Sequence, residues 1–254
     1  MTRLRIDSQP MNEITLSVVS HGHGPVLALL LSDLDRLASP HVARVVVTLN
    51  VDEPWQPPPR VGRTTVEVVR NRQPLGFAEN HNRAFARCDT PVFAVVNPDI
   101  RMAEDPWPAL VRALRDDTCG LAVPWQVNAQ GDTEDFRRLV PTPWGLLRRT
   151  VMRRKVLTDT DRLEWAAGSF MVFRKPVFEA LGGFDAGYRL YCEDVDLCLR
   201  LQLNGWRIEV VPSSRVVHDA RRASGSGGRF LRWHLASFLR LWTSAAFWRY
   251  RKLR

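Results

Sequence analysis

The sequence predicts an α/β fold with a mostly parallel central sheet and flanking helices. Short apolar runs typical of buried strands recur along the first 220 residues. Stretches with helical periodicity separate these runs, which is the order expected of strand–helix–strand units. Several strands end in polar or glycine-containing turns, where open α/β sheets bind their ligands.

The predicted elements follow one another along the chain. Strands are predicted at residues 14–20, 44–49, 65–69, 91–96, 120–124, 170–173 and 207–211. Helices are predicted at residues 26–37, 78–87, 106–115 and 176–181, and in the run that begins near Glu193. The strand at 91–96 is strongly apolar, so we expect it to be central in the sheet, with both faces covered.

The overall composition narrows the class of protein. The chain has 254 residues, 45% hydrophobic and 25% charged, enough for one large domain or two small ones. No apolar run approaches the length of a membrane span, and residues 1–12 lack the apolar core of a signal peptide. The four cysteines form no Cys-x-x-Cys pair, which argues against a zinc or thioredoxin-like site. We therefore predict a cytoplasmic protein with reduced thiols.

The positive charge is concentrated at the C-terminal end. Residues 221–254 contain nine Lys and Arg and no Asp or Glu, so the first 220 residues carry 27 basic and 27 acidic side chains. A neutral body argues against a folded surface that binds nucleic acid. The basic tail predicts an anionic partner.

Apolar residues repeat at helical spacing through this tail. They are Leu231, Leu235, Phe238, Leu241 or Trp242, and Ala245. With arginines interleaved, the pattern predicts a basic amphipathic helix at an anionic membrane surface, and hence a peripheral protein at the inner face of the membrane. The alternative is a helix that packs on the body or in a homodimer interface.

Three acids in the stretch 182–201 stand out. Glu193, Asp194 and Asp196 follow an aromatic run and precede an apolar helical run. Adjacent carboxylates repel, so the pKa of one is expected to be raised, which suits a general base. Acids in a first helical turn also stabilise the helix through its macrodipole, and both interpretations can hold together.

Polar residues follow two of the predicted strands. Asn50 follows strand 44–49, and Asn97-Pro98-Asp99 follows strand 91–96. At the carboxyl end of a strand, Asp99 is well placed to hold a metal against a phosphate. The alternative is a plain Asn-Pro-Asp turn.

Two further segments carry weaker signals. The turn at 21–25 has glycines, but Leu27 occupies the third glycine position of the dinucleotide fingerprint. Basic residues accumulate within 126–161, where a solvated loop and a phosphate-contacting lid are the two interpretations.

An ordered set of motifs supports a family resemblance. The motifs are Ser17-Val18-Val19-Ser20, Asn71 with Gly76-Phe77-Ala78-Glu79-Asn80-His81-Asn82, Asn97-Pro98-Asp99, Trp165-Ala166-Ala167-Gly168-Ser169, Gly182-Gly183-Phe184-Asp185, Glu193-Asp194-Val195-Asp196-Leu197-Cys198, and His218. On these residues the chain resembles the family 2 glycosyltransferases. Within them it resembles the rhamnosyltransferase-like branch that builds cell-surface polysaccharides.

The resemblance implies a GT-A fold, a Rossmann-like α/β domain over residues 1–220, followed by the tail at 221–254. A donor half would span about residues 14–125 and an acceptor half about residues 126–220. The implied activity is transfer, with inversion, of a sugar such as rhamnose from a dTDP- or UDP-linked donor to a saccharide or lipid-linked saccharide. The implied cofactor is a divalent cation, Mg²⁺ or Mn²⁺.

The resemblance also assigns roles to residues. Asp194 would be the catalytic base, paired with Glu193, and Asp99 would ligate the metal with help from His218. The implied donor-binding residues are Ser20, Asn50, Asn71, Gly76, Asn80 and Asn97. The implied acceptor-binding residues are Trp165, Gly168 and Ser169.

The chain departs from the family pattern at two positions. Leu49 stands where many members carry an Asp that reads the nucleobase, and Asn97 stands where they carry a metal-binding acid. These departures keep open a GT-A protein without activity. A nucleotide-sugar pyrophosphorylase is disfavoured because the turn at 21–25 contains no Lys or Arg. Nucleic-acid binding through the tail is the remaining alternative.

Overall fold

The structure is a computed structural model that describes residues 13–145, 163–218 and 228–253. Residues 146–161 of the predicted lid, which include most of its basic side chains, and residues 219–227 between the body and the tail lie outside these ranges.

Eleven strands and seven helices are present in the described ranges. The strands are β1 (Ile14–Ser20), β2 (Val42–Leu49), β3 (Arg60–Val61), β4 (Thr64–Arg70), β5 (Val92–Val96), β6 (Ile100–Arg101), β7 (Cys119–Val127), β8 (Arg137–Arg138), β9 (Trp165–Ala166), β10 (Phe170–Arg174) and β11 (Arg207–His218). The helices are α1 (Gly24–Leu37), α2 (Phe77–Phe85), α3 (Trp107–Ala113), α4 (Lys175–Ala180), α5 (Glu193–Leu203), α6 (Gly228–Thr243) and α7 (Ala245–Lys252).

Nine strands form one sheet in the order β3-β4-β2-β1-β5-β10-β7-β11-β6. Strands β4, β2, β1 and β5 run parallel, and β11 runs parallel to β7. Strand β10 lies between β5 and β7 and is antiparallel to both. The apolar strand at 91–96 corresponds to β5, the fifth of the nine, so its predicted central position is confirmed. Strands from both predicted halves share this sheet.

Strand β11 is longer than predicted. It continues through Pro212 to His218, with a register shift between Val211 and Arg215 against β7. A proline cannot donate to the ladder and is normally confined to edges or bulges, and the strand was predicted to end at Val211, before Pro212. The irregularity absorbs Pro212 and lets the strand carry His218 to the end of the sheet.

The sheet is covered on both faces. In β5, alternate residues Val92, Ala94 and Val96 belong to one apolar core, and Phe93 and Val95 belong to the other. Helices α1 and α3 cover the first core, whereas α2, α4 and α5 cover the second. All four cysteines are buried, and none of them forms a disulfide.

The two tail helices pack on the second core. Leu241 is fully buried, and Phe247 and Tyr250 are 3% and 5% exposed. The indole N–H of Trp242 donates to the carbonyl of Pro141 at 2.9 Å. The face of the tail that carries Leu241, Phe247 and Tyr250 therefore packs on the body, as one of the two predicted alternatives stated. Among the described helices, none has the length and apolar character needed to cross a membrane.

Candidate active site

The predicted donor amides meet at the carboxyl edge of the parallel strands. Asn71 donates through Nδ2 to Oδ1 of Asn50 at 2.8 Å and to Oδ1 of Asn80 at 2.6 Å. Asn50 also accepts from the backbone N–H of Leu75 at 2.8 Å. The nearby Ser20 hydroxyl accepts from the N–H of His23 at 3.0 Å. The structure thus brings these four residues to one edge, where mutual hydrogen bonds orient the three amides.

Gly76 allows a close approach of two backbones. A Cβ at this position would lie 2.6 Å from the carbonyl oxygen of Arg189, so a side chain does not fit. The next residue, Phe77, donates its N–H to the same carbonyl at 3.1 Å. The glycine therefore lets the segment before α5 pack on the start of α2. Its predicted contact with the donor stays a prediction.

Asp194 lies in the first turn of α5 with its carboxylate held by two backbone groups. Oδ2 accepts from the N–H of Gly168 at 3.0 Å, and Oδ1 accepts from the N–H of Val195 at 2.8 Å. The chain enters α5 through Tyr191 and Cys192, both left-handed with φ of 73° and 66°. This backbone is strained for residues with a Cβ, and such strain persists only where the surroundings enforce it.

The paired acids have raised pKa values. Burial raises the pKa of Glu193 well above its ordinary value, and the negative charge of Asp194 raises it further. Burial also raises the pKa of Asp194, against the lowering effect of the two N–H donors and of the Arg138 charge. Glu193 Oε2 is buried with no hydrogen bond, which favours the protonated form. The arrangement therefore keeps one proton near this pair at a pH where an exposed carboxyl would lose it.

Glu193→Gln is expected to flatten the pH dependence of stability. Because the folded-state pKa lies above the ordinary value of 4.5, the folded protein binds more protons there, and stability falls as pH rises from about 4.5 through the raised pKa. Glutamine does not titrate, so thermal unfolding of the variant should show a smaller slope, with the contribution of Asp194 remaining. Glu104→Gln, at an exposed position, is the control for losing one carboxylate. An unchanged slope in Glu193→Gln would contradict this prediction.

Asp99 and His218 form the candidate metal site. Oδ1 of Asp99 is buried and has no hydrogen bond, and Nε2 of His218 lies 3.5 Å from it, too far for a good hydrogen bond. A buried, unsatisfied carboxylate oxygen beside an imidazole fits a divalent cation. In the described ranges, no group of three or more His, Cys, Asp or Glu is arranged to hold a metal. The remaining ligands would therefore be phosphate oxygens and water.

The turn at Gly168 and Ser169 connects this site to the acids of α5. The N–H of Gly168 binds Asp194, and the carbonyl of Ser169 accepts from the N–H of Asn97 at 2.8 Å. Asn97 lies two residues before Asp99. This one turn therefore contacts the base candidate directly and contacts, through Asn97, the segment that leads to the metal candidate.

Trp165 is part of the packed interior. It is 7% exposed, and its indole N–H donates to the carbonyl of Leu139 at 2.9 Å. The guanidinium of Arg138 lies over its ring at 5.4 Å. The structure therefore gives Trp165 a packing role, and its predicted acceptor contact stays a prediction.

Gln126 is a site residue that the sequence analysis missed. Its Oε1 accepts from the Ser169 hydroxyl at 2.8 Å, while its Nε2 is buried without a partner. If the amide were flipped, its oxygen would be the unpaired atom, so one polar atom is unsatisfied in either orientation. The signal was a polar residue near the end of an apolar strand, the same signal as for Asn97.

The comparisons identify the class of protein. The family model described as Glycosyltransferase like family 2 matches residues 29–234. The chain belongs to this family of glycosyltransferases, as the motifs predicted.

Curated relatives place the chain in the rhamnosyltransferase-like branch. It is 29% identical over 248 residues to Rhamnosyltransferase WbbL of Escherichia coli K12, covering 89% of this chain and 91% of that protein. It is 27% identical over 238 residues to N-acetylglucosaminyl-diphospho-decaprenol L-rhamnosyltransferase of Mycobacterium tuberculosis, covering 82% and 76% of the two chains.

Solved structures confirm the GT-A fold. GalNAc-T7 with UDP, GalNAc and Mn²⁺ matches with a TM-score of 0.61 and 18% identity, over 83% of this chain and 44% of that one. The mannosyltransferase PcManGT of Pyrobaculum calidifontis, with GDP-Man and Mn²⁺, matches with a TM-score of 0.57 and 15% identity, over 90% and 64%. This chain thus spans less than two thirds of either structure, and identities this low support the fold alone.

Proposed function

We propose that the protein is an inverting, metal-dependent glycosyltransferase that moves a sugar from a nucleotide-diphosphate donor to a saccharide in cell-surface polysaccharide synthesis. The observation that carries the proposal is the turn at Gly168 and Ser169. It contacts Asp194 on one side and the strand end that leads to Asp99 on the other. Base and leaving group must act on opposite faces of a sugar for inversion, and two sites around one turn suit that requirement.

Asp194 is the proposed general base. It would take the proton from the attacking acceptor hydroxyl, and the N–H groups of Gly168 and Val195 orient its two oxygens for that task. Its raised pKa makes it a stronger base than an ordinary carboxylate while it is ionised. Glu193 is proposed to act indirectly. It shares the negative charge of the pair with Asp194, so the two acids titrate together.

Asp99 and His218 are the proposed metal ligands. A divalent cation held there supplies positive charge that stabilises the departing diphosphate. The side-chain amide of Asn97 replaces a carboxylate and can donate a hydrogen bond to a phosphate oxygen. Two similar solved structures contain Mn²⁺ together with a nucleotide or nucleotide sugar, which supports Mn²⁺ or Mg²⁺ as the cation.

The relatives support a choice of substrates. Both curated relatives are named rhamnosyltransferases, and the mycobacterial name specifies a diphospho-decaprenol-linked N-acetylglucosamine. We propose a dTDP- or UDP-linked donor, with rhamnose as the first candidate sugar, held by residues 14–125. The acceptor would be a lipid-linked saccharide held by residues 126–220, and the enzyme would then act at the inner face of the membrane.

A thermal-shift screen of nucleotide sugars, each with and without Mg²⁺ or Mn²⁺, tests this function. A donor at about 100 times its Kd adds about 2.7 kcal/mol of stability, which raises Tm by roughly 5–10 °C for a chain of this size. We expect dTDP-rhamnose with a cation to give the largest shift. A larger shift with a UDP-hexose would change the donor, and no shift with any nucleotide sugar would refute the proposal.

The alternative is a GT-A protein that binds a nucleotide without turnover. It rests on Leu49 and Asn97, which replace acids that many family members carry. Binding of UDP or dTDP, combined with no transfer to any saccharide or lipid-linked acceptor, would favour this alternative.

A further inference from the structure

Helix α6 has two different faces. Ser237 and Leu241 are buried against the body, at 4% and 0% exposure. Leu231, Leu235 and Leu239 are 62%, 56% and 62% exposed. Their spacing of four residues aligns these three leucines in one stripe along the outer side of the helix. The single amphipathic face predicted from sequence is therefore divided between the core and the surface.

The outer side of the tail is apolar and basic. In addition to the leucine stripe, the tail exposes Arg232 on α6 and Arg249, Arg251 and Lys252 on α7. Trp248 on α7 is 56% exposed. The sequence from 221 to 254 contains no acid to neutralise these charges. Exposed Leu and Trp interleaved with Arg and Lys are the composition of helices that lie in a membrane interface.

The inner side of α6 contacts the segment that leads into the catalytic helix. The Ser237 hydroxyl donates to the carbonyl of Leu190 at 2.8 Å, and the imidazole of His234 stacks on Tyr191 at 4.1 Å. Arg240 donates to both carboxylate oxygens of Asp185 at 2.9 Å. Tyr191 is the first of the two left-handed residues before Glu193. Helix α6 therefore supports the strained entry to α5.

We propose that α6 is an interfacial helix whose leucine stripe lies in an anionic lipid surface while its inner side holds the entry to α5. The observations favour lipid over a second copy of this chain. A two-fold dimer sets the same patch against itself, and these unneutralised basic residues would repel one another there. The role of this lipid contact rests on the proposed function. If the acceptor is lipid-linked, a helix α6 that lies in the membrane surface would bring the acceptor close to Asp194.

Vesicle flotation of the full chain tests the docking surface. We expect wild-type protein to float with vesicles of phosphatidylcholine and phosphatidylglycerol, and added salt to weaken binding. The triple change Leu231→Ser, Leu235→Ser and Leu239→Ser should weaken binding at least about tenfold, because each buried methylene contributes to membrane affinity. Leu29→Ser makes the same kind of substitution at one exposed leucine on α1. It is the control and should bind as wild type.

Three outcomes would overturn the proposal. Wild-type protein that does not bind the anionic vesicles would do so, and so would a triple variant that binds them fully. A wild-type dimer in sedimentation that the triple variant converts to monomer, without vesicle binding by either, would assign the stripe to a second copy instead. Flotation requires no catalysis, so its result is independent of whether the proposed transferase activity is correct.

Asp185→Asn tests the inner side without changing the charge of the tail. It weakens the pairing with Arg240, so kcat should fall several-fold while the KM for donor and vesicle binding stay unchanged. Asp185→Glu, which keeps the charge, should recover most of the rate. A wild-type kcat in Asp185→Asn would show that α6 does not position the entry to α5.

Discussion

Asp194→Asn is expected to lower the rate of sugar transfer by about 10²–10⁴-fold, the contribution of a positioned general base. The amide cannot accept the hydroxyl proton, but it nearly matches the carboxylate in shape. One of its two backbone hydrogen bonds is lost, which costs about 1 kcal/mol of stability, so the rate must be measured well below Tm. Donor affinity, measured by calorimetry, should stay close to that of the wild type.

The neighbouring Asp196 provides the control. It is 4% exposed and accepts from Arg200 at 2.7 Å, whereas Asp194 accepts from the N–H groups of Gly168 and Val195. Asp196→Asn should therefore lower Tm while the folded enzyme keeps its kcat. Loss of donor binding in a folded Asp194→Asn protein, or equal kcat losses in the two variants, would count against Asp194 as the base.

Asp99→Ala is expected to abolish the effect of a divalent cation on donor binding. Changes to groups that merely support a metal site cost about 10- to 100-fold in affinity, so loss of a ligand should cost at least that much. Calorimetric titration of the nucleoside diphosphate, with and without Mn²⁺, measures the effect without requiring turnover. In the variant the two affinities should coincide.

Asp117→Ala, at a carboxylate with a 95% exposed side chain, should behave as wild type and control for the lost charge. The assignment fails if native protein binds the nucleotide equally well with and without the cation. If Asp99→Ala keeps the full effect of the cation on nucleotide affinity, Asp99 is not a metal ligand and the metal binds at another site.

Much of the fold follows from local patterns in the sequence. Strands β1, β2 and β5 are mostly buried apolar runs, β4 alternates buried and exposed residues, and all four were predicted. The four two-residue strands β3, β6, β8 and β9 were missed, because pairs this short are defined by their partners rather than by their own residues. The extent of β11 was missed for a similar reason, since its second part depends on pairing with β7 across a register shift.

The site was predictable as a list of residues but not as an arrangement. Polar residues after apolar strands identified Asn50, Asn97 and Asp99 correctly as neighbours of the carboxyl edge. The contact of Asn97 with Ser169 depends on the antiparallel pairing of β10 with β5, which no local pattern reveals. In the tail, the helical periodicity did not show which apolar residues are buried. Leu241 is buried and Leu235 is exposed because only one side of α6 packs on the body.

The position of β10 in the strand order has a consequence for biosynthesis. Strand β5 is paired on one side by β1, synthesised long before it, and on the other by β10, which is synthesised about 75 residues later. Until then an apolar edge stays open on the nascent chain, and such edges are templates for aggregation. A protein cut at residue 125 would keep that open edge permanently. Expressed alone, the proposed donor half at about residues 14–125 would therefore expose this edge.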